Sequence, residues 1–204
     1  GVVRRWYGLA GIAAFMMMVA GHPQGAAFGM LLAGGLAIAQ SIRDKRIPWG
    51  FAGAMALALI AASPQLIATI ELASFSMRDG GVSRMFANIG SLPPQELING
   101  VLPRFFGFDR PGDIPQTYYH RGTGYWGSGE NHWEMSFYLG IPVSLLSLWR
   151  ARRERFWLGV AVVSIVLMLG GNTPAWPILR NLPGLSGFRF PVRFALLLTV
   201  AMSI

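Results

Sequence analysis

The chain has 204 residues, 53% of them apolar and only 13% charged, about half the roughly 25% of ordinary soluble domains, with a mean hydropathy of +0.45. That balance excludes a solvated globular domain and marks a membrane chain. The formal net charge is +8, but the arginines gather in short clusters between apolar runs, as the positive-inside rule requires, which sets nucleic-acid binding aside; the absence of cysteine excludes disulfides and thiolate metal sites.

The first apolar run, Trp6 to Gly21, and the second, Ala26 to Ile42, are parted only by His22, Pro23, Gln24 and Gly25, which predicts a tight helical hairpin. Gly8, Gly11, Gly29, Gly34 and Gly35 let helices approach closely in lipid, where packing rather than water exclusion drives association. Both runs are short for a crossing, so a re-entrant hairpin is the alternative arrangement. After Arg43, Asp44, Lys45 and Arg46, Pro48 opens a third run, Trp49 to about Phe75; proline suits a helix start because its missing N–H would be unpaired there anyway. Pro64 inside this run is expected to kink or loosen it. Gln65 and Thr69, four apart, share a face, and Glu71 stands near the outer end.

Met77 to Ser136 holds no spanning segment. Gly80-Gly81, Pro93-Pro94, Pro103, Pro111-Gly112 and Pro115 punctuate it, predicting turns and short helices, among them a surface helix over Pro94 to Leu102. The fourth run, Phe137 to Trp149, is expected to begin near Trp133 and ends at the basic cluster Arg150, Arg152, Arg153 and Arg155. Phe156 to Leu169 is the fifth run, and Gly170 to Arg193 a second irregular loop. The chain opens on Gly1, and its sixth run stops at Ile204, short of the roughly 20 residues of a crossing helix, so we expect a piece of a longer polytopic protein. The fold class expected is all-α, a transmembrane bundle of about six spans. Helices 1 to 3 fall in residues 1–76, an extracytoplasmic loop in 77–136, helices 4 and 5 in 137–170, a second such loop in 171–193 and the start of helix 6 in 194–204.

Arg4/Arg5, Arg43 to Arg46 and Arg150 to Arg155 fall on the same side of successive spans, which assigns them to the cytoplasm. The loops His22–Gly25, 77–136 and 171–193 then share the outer surface, and convergence of polar groups from separate segments is the strongest functional signal in the chain. Arg189 and Arg193 flank Pro191 where the sixth helix begins. Two guanidinium groups at the positive end of a helix call for an anion between them, and arginine forks onto phosphate oxygens, so they read as a lipid-phosphate clamp, with His22 and Gln24 as further members. The alternative is that both arginines reach the headgroups or pair with loop acids.

The run His120 to Ser136 (HRGTGYWGSGENHWEMS) is rich in glycine, aromatic rings and ionisable groups. Glu130 and His132, with Glu71, are candidates for general-base work, while Tyr125, Trp126, Trp133 and Glu134 suit the wall of a sugar or acceptor site. An extended E-x-H-x-E would also point Glu130, His132 and Glu134 to one side with His22 as a fourth ligand, but the spacing matches no strong metal motif and no metal site is assigned. Interfacial belt residues and an ordinary polar loop are the plain alternatives.

Four stretches carry a resemblance. Gly21-His22-Pro23-Gln24, SPQLIATIELASFSMR from Ser63 to Arg78, ENHWEMSFYLGIPVSLLSL from Glu130 to Leu148, and above all GGNTPAWPILRNLPGLSGFRFPVRF from Gly170 to Phe194 resemble the bacterial YfhO-like membrane protein family. That family is similar to the GT-C polytopic glycosyltransferases, which implies transfer of a sugar from a polyprenyl-phosphate carrier to an envelope acceptor at the outer face of the bacterial plasma membrane. It also implies membrane lipid and a polyprenyl-phosphate-linked sugar as partners. GT-C enzymes place a catalytic acid in the loop after the first span; His22 to Gly25 holds none, so the main base is expected outside this chain. A divalent cation bridging the phosphate is compatible with this chemistry, and no cofactor is assigned. The alternative from another class is a non-catalytic multi-span subunit packed against other membrane subunits.

Overall fold

The structure, a computed structural model, describes residues 6–75, 88–103, 105–107, 137–151, 153–182 and 191–204. The described residues are helical or irregular, with no strand among them, and three helices are long and apolar enough to cross a membrane: Gln24–Asp44, Trp49–Leu72 and Arg155–Asn172. The chain forms two compact units, Gly1–Gly80 and Gly81–Ile204.

The first unit consists of α1 (Tyr7–Val19), α2 (Pro23–Asp44) and α3 (Trp49–Ser74). α2 begins before the apolar run does. His22 Nδ1 accepts the Gly25 N–H at 3.0 Å, and Pro23 takes the first helical position, where its missing donor costs nothing. Its 22 residues span about 33 Å, which removes the shortfall that made a re-entrant hairpin the alternative for this run. α1, with 13 residues, stays short. The stop is Lys45 in the left-handed conformation, φ 51°, its N–H donating to Ser41 O. Glycine takes that position freely; a side chain there costs roughly 1 kcal/mol.

Small residues set the packing. A Cβ on Gly11 would lie 3.0 Å from Ala54 O, and one on Gly50 2.7 Å from the Tyr7 ring. Both pairs are offset by 43 residues (54 − 11 and 50 − 7), so α1 and α3 run parallel in register. Gly29 lets α2 close on α1 through Met17, whereas Gly8 and Gly34 face open space and contribute no such contact. Ala14, Ala26, Ala58 and Ala62 are buried with Phe28, while Leu57, Ile60 and Ile67 are more than 60% exposed. Small side chains within and large apolar ones without is the pattern for helices solvated by lipid.

Pro64 does not end α3, which continues to Ser74. Proline removes the N–H that would serve the carbonyl four residues back, Ile60 O, and the Ser63 hydroxyl donates to that oxygen at 2.7 Å. Ser63→Ala is expected to leave the carbonyl without its donor and to lower stability by about 1 kcal/mol, measured by unfolding in mixed micelles.

The second unit is built on α5 (Arg155–Leu169). α7 (Ala195–Ser203) and the 3-10 turn Pro191–Phe194 pack along it, and α4 (Ile141–Ala151) packs against both helices. Ser147 Oγ sits between Val143 O of its own helix and Met202 O of α7, tying the two together. Leu92, Met168, Val192 and Phe194 form the buried core. α4 starts later than the hydropathy suggests. Gly140 adopts φ 85°, outside the helical region, and Pro142 has no N–H to bond to a preceding turn, so residues 137–140 stay non-helical. They are held by Leu139 N–H donating to Gly100 O at 2.9 Å.

The surface helix expected over Pro94 to Leu102 is instead a 3-10 helix, Pro94–Gly100, with Glu96, Asn99 and Gly100 buried. Three residues per turn align Glu96 with Asn99 on one face. On the neighbouring face Phe137 lies against Gly100, where a Cβ would come within 2.8 Å of the ring.

Candidate functional site

The second unit carries a cap over one end of its helices, assembled from three stretches far apart in sequence. At the end of α5, Leu92 N–H donates to Met168 O at 2.8 Å. The motif after it then grips the turn at 88–92. Gly171 N–H donates to Ser91 Oγ at 2.9 Å, Asn172 Nδ2 to Leu92 O at 3.0 Å, and Trp176 Nε1 to Asn88 Oδ1 at 2.8 Å. The third stretch joins through Val192 N–H, which donates to Gly90 O at 3.0 Å. Trp176 opens the single-turn helix α6 (Trp176–Leu179) and is 4% exposed, so its hydrogen bond is made away from water. Gly170, at φ 46° and ψ −124°, is where the three stretches meet; a Cβ there would stand 2.5 Å from Ser91 Oγ and 2.7 Å from Pro191 Cγ.

An apolar groove of about 400 Å3 runs between α4, α5 and α7 of the same unit. Leu97, Val101, Phe137 and Leu139 line it beside the 3-10 helix, Leu158, Leu198 and Met202 line its length, and Arg150 and Glu154 stand at the other end. Those two form a loose pair, 4.0 Å apart and about half exposed, and Arg153 lies over the Trp149 ring at 5.4 Å. Exposed pairs of this kind contribute little stability. Ser144 also lines the groove, and its Oγ is buried with no hydrogen-bond partner among the described residues, as is Asn99 Oδ1. The other helical serines instead bond back to their own helix, as Ser41, Ser63, Ser74, Ser147, Ser164 and Ser203 do.

Of the residues singled out from the sequence, four are described. Arg193 lies in the 3-10 turn Pro191–Phe194, half-buried and with an interaction partner. It precedes by five residues Leu198, which lines the groove. His22 caps α2, so its Nδ1 is committed to the Gly25 N–H, and Gln24 lies in the first turn with a partner of its own. Glu71 is exposed in the last turn of α3. Its backbone oxygen accepts from Ser74 Oγ at 2.7 Å, while the Thr69 hydroxyl is taken up by Gln65 O at 2.7 Å. Arg189, Tyr125, Trp126, Glu130, His132, Trp133 and Glu134 lie outside the described residues. Among the described residues no three of His, Asp and Glu are grouped to hold a metal ion.

Sequence reasoning missed Glu96, a fully buried acid in the 3-10 helix Pro94–Gly100, because an acid near the start of a proline-led helix looks solvated. The available signal was its spacing of three from Asn99, which a 3-10 turn places on one face. Comparison with protein families, with curated proteins and with solved structures finds no match for this chain.

Proposed function

We propose that the chain is part of a YfhO-like, GT-C-type glycosyltransferase of about six spans that moves a sugar from a polyprenyl-phosphate carrier to an envelope acceptor at the outer face of the bacterial plasma membrane. The observation that carries this reading is the groove of about 400 Å3, lined mostly by apolar side chains, one of whose walls, α7, follows directly on the turn that holds Arg193. That combination suits a lipid chain with an anionic headgroup at its top.

In the proposed reaction a carboxylate takes the proton of the acceptor hydroxyl. The freed oxygen attacks the anomeric carbon as the bond from that carbon to the phosphate oxygen breaks, and the phosphate leaves with the bonding pair. Arg189 and Arg193 stabilise that leaving charge. Glu130 and His132 remain candidates for the base, joined by Glu96, whose neighbour Leu97 lines the groove. Tyr125, Trp126, Trp133 and Glu134 form the sugar or acceptor wall.

The test is polyprenyl-phosphate binding by the full-length protein. Arg189→Ala and Arg193→Ala are each expected to weaken it by about tenfold or more, as loss of a charge-assisted hydrogen bond does. Ala161→Phe, which fills the groove, should weaken it as well. Unchanged binding in the double arginine variant removes the clamp. Release of a partner chain by the same variants, with binding intact, favours the non-catalytic subunit.

A further inference from the structure

The first unit has a second recess, unconnected with the proposed transferase chemistry. A crevice of about 410 Å3 opens between α2 and α3 at the start of α1, walled by Trp6, Tyr7, Ala33, Leu36, Ala37 and Phe51. Its rim holds Gln40 and Pro48, which bracket the basic segment Arg43 to Arg46 in the chain. Asp44 is engaged within its own helix, accepting from Arg43 Nε at 3.3 Å and from Gln40 Nε2 at 3.4 Å. Lys45 and Arg46 are exposed and make no ion pair among the described residues.

Two features set this end apart from an ordinary basic loop. The cations follow directly on the helix whose Ala33, Leu36, Ala37 and Gln40 line the crevice, so they stand next to an apolar recess in the chain. Lys45 also keeps its side chain at a left-handed position, φ 51°, that glycine would fill without strain, so a charge is retained at a conformational cost. We propose that this crevice is a binding site for an anionic diacyl phospholipid, one acyl chain seated against Ala33, Leu36 and Ala37 and the phosphodiester facing Lys45 and Arg46. Basic pockets between helices at the positive side of a membrane protein hold anionic headgroups in this way.

The full chain, purified in detergent and titrated with dioleoyl phosphatidylglycerol or dioleoyl phosphatidylcholine, is read by native mass spectrometry. One phosphatidylglycerol is expected to be retained in preference to phosphatidylcholine. Arg46→Gln should weaken phosphatidylglycerol binding about fivefold and leave phosphatidylcholine unchanged, the loss expected for one cation near a lipid phosphate. Lys45→Gly should do the same while folding at least as well, because it relieves the strained residue; this variant separates lost binding from lost structure. Ala37→Phe, which fills the crevice, should reduce both lipids. Equal binding of the two lipids, or unchanged phosphatidylglycerol binding in Lys45→Gly and Arg46→Gln, overturns the proposal. So does an Ala37→Phe variant that dissociates a dimer instead of releasing lipid, since a second copy would then be the occupant.

Discussion

Gly170→Ala is expected to be the most damaging single-methyl change in the described structure, lowering stability by roughly 4 kcal/mol, from about 1 to 3 for the backbone strain and about 1 to 3 for overpacking. The backbone at φ 46° and ψ −124° is open to glycine alone, and the added Cβ would meet Ser91 Oγ at 2.5 Å and the Pro191 ring at 2.7 Å. Neither neighbour can retreat. Ser91 Oγ accepts the Gly171 N–H, and the segment beginning at Pro191 is tied to Gly90 through Val192. The change should therefore pry the cap open, measured as a fall in the midpoint of unfolding in mixed micelles. Gly34→Ala is the matched control. It sits in the middle of α2 with nothing within 4 Å, so the same methyl should be neutral or stabilise by about 0.5 to 1 kcal/mol. Equal stability of the two variants would contradict the cap geometry.

Trp176→Ala should cost about 3 to 5 kcal/mol, the range for emptying a large buried aromatic site. Trp176 is 4% exposed and donates to Asn88 Oδ1 at 2.8 Å, so its ring packs beneath the cap while its N–H ties down the 88–92 turn. The two contributions can be separated. Trp176→Phe keeps most of the apolar volume and removes the donor, which should cost about 1 to 2 kcal/mol and leave the Asn88 amide oxygen unpaired. A double-mutant cycle of Trp176→Phe with Asn88→Ala is expected to return a coupling of about 1 kcal/mol. Additive losses would show that the hydrogen bond contributes nothing to the cap.

Together these variants assign a structural role to the motif GGNTPAW. From the sequence, Gly170 to Arg193 reads as an irregular loop whose value lies in Arg189 and Arg193. The structure shows that its first residues are the clasp: Gly170 allows the close approach, Asn172 serves Leu92 O and Trp176 serves Asn88. None of those partners is near in sequence, and no periodicity relates residue 88 to residue 176. His22 illustrates the same limit in the first unit. A histidine between two apolar runs is compatible with phosphate binding, but its ring nitrogen is used as a helix cap, a role visible only once the Gly25 N–H is placed.

What the amino-acid order determined by itself is the membrane character and the long apolar helices. Hydropathy over 15 or more consecutive residues is a local sum, and so the bounds of α5 and the start of α3 after Pro48 could be read directly. Proline and glycine likewise carry their backbone restrictions wherever they stand, which is why Pro23 and Gly140 explain where α2 and α4 begin. Tertiary structure alone decided which polar groups are buried and what they meet. Glu96 and Asn99 are buried in a 3-10 helix whose sequence reads as a surface segment, and the groove exists because α4, α5 and α7 leave space between them. Burial depends on neighbours brought together across tens of residues, and a local pattern holds no information about a partner that only folding supplies.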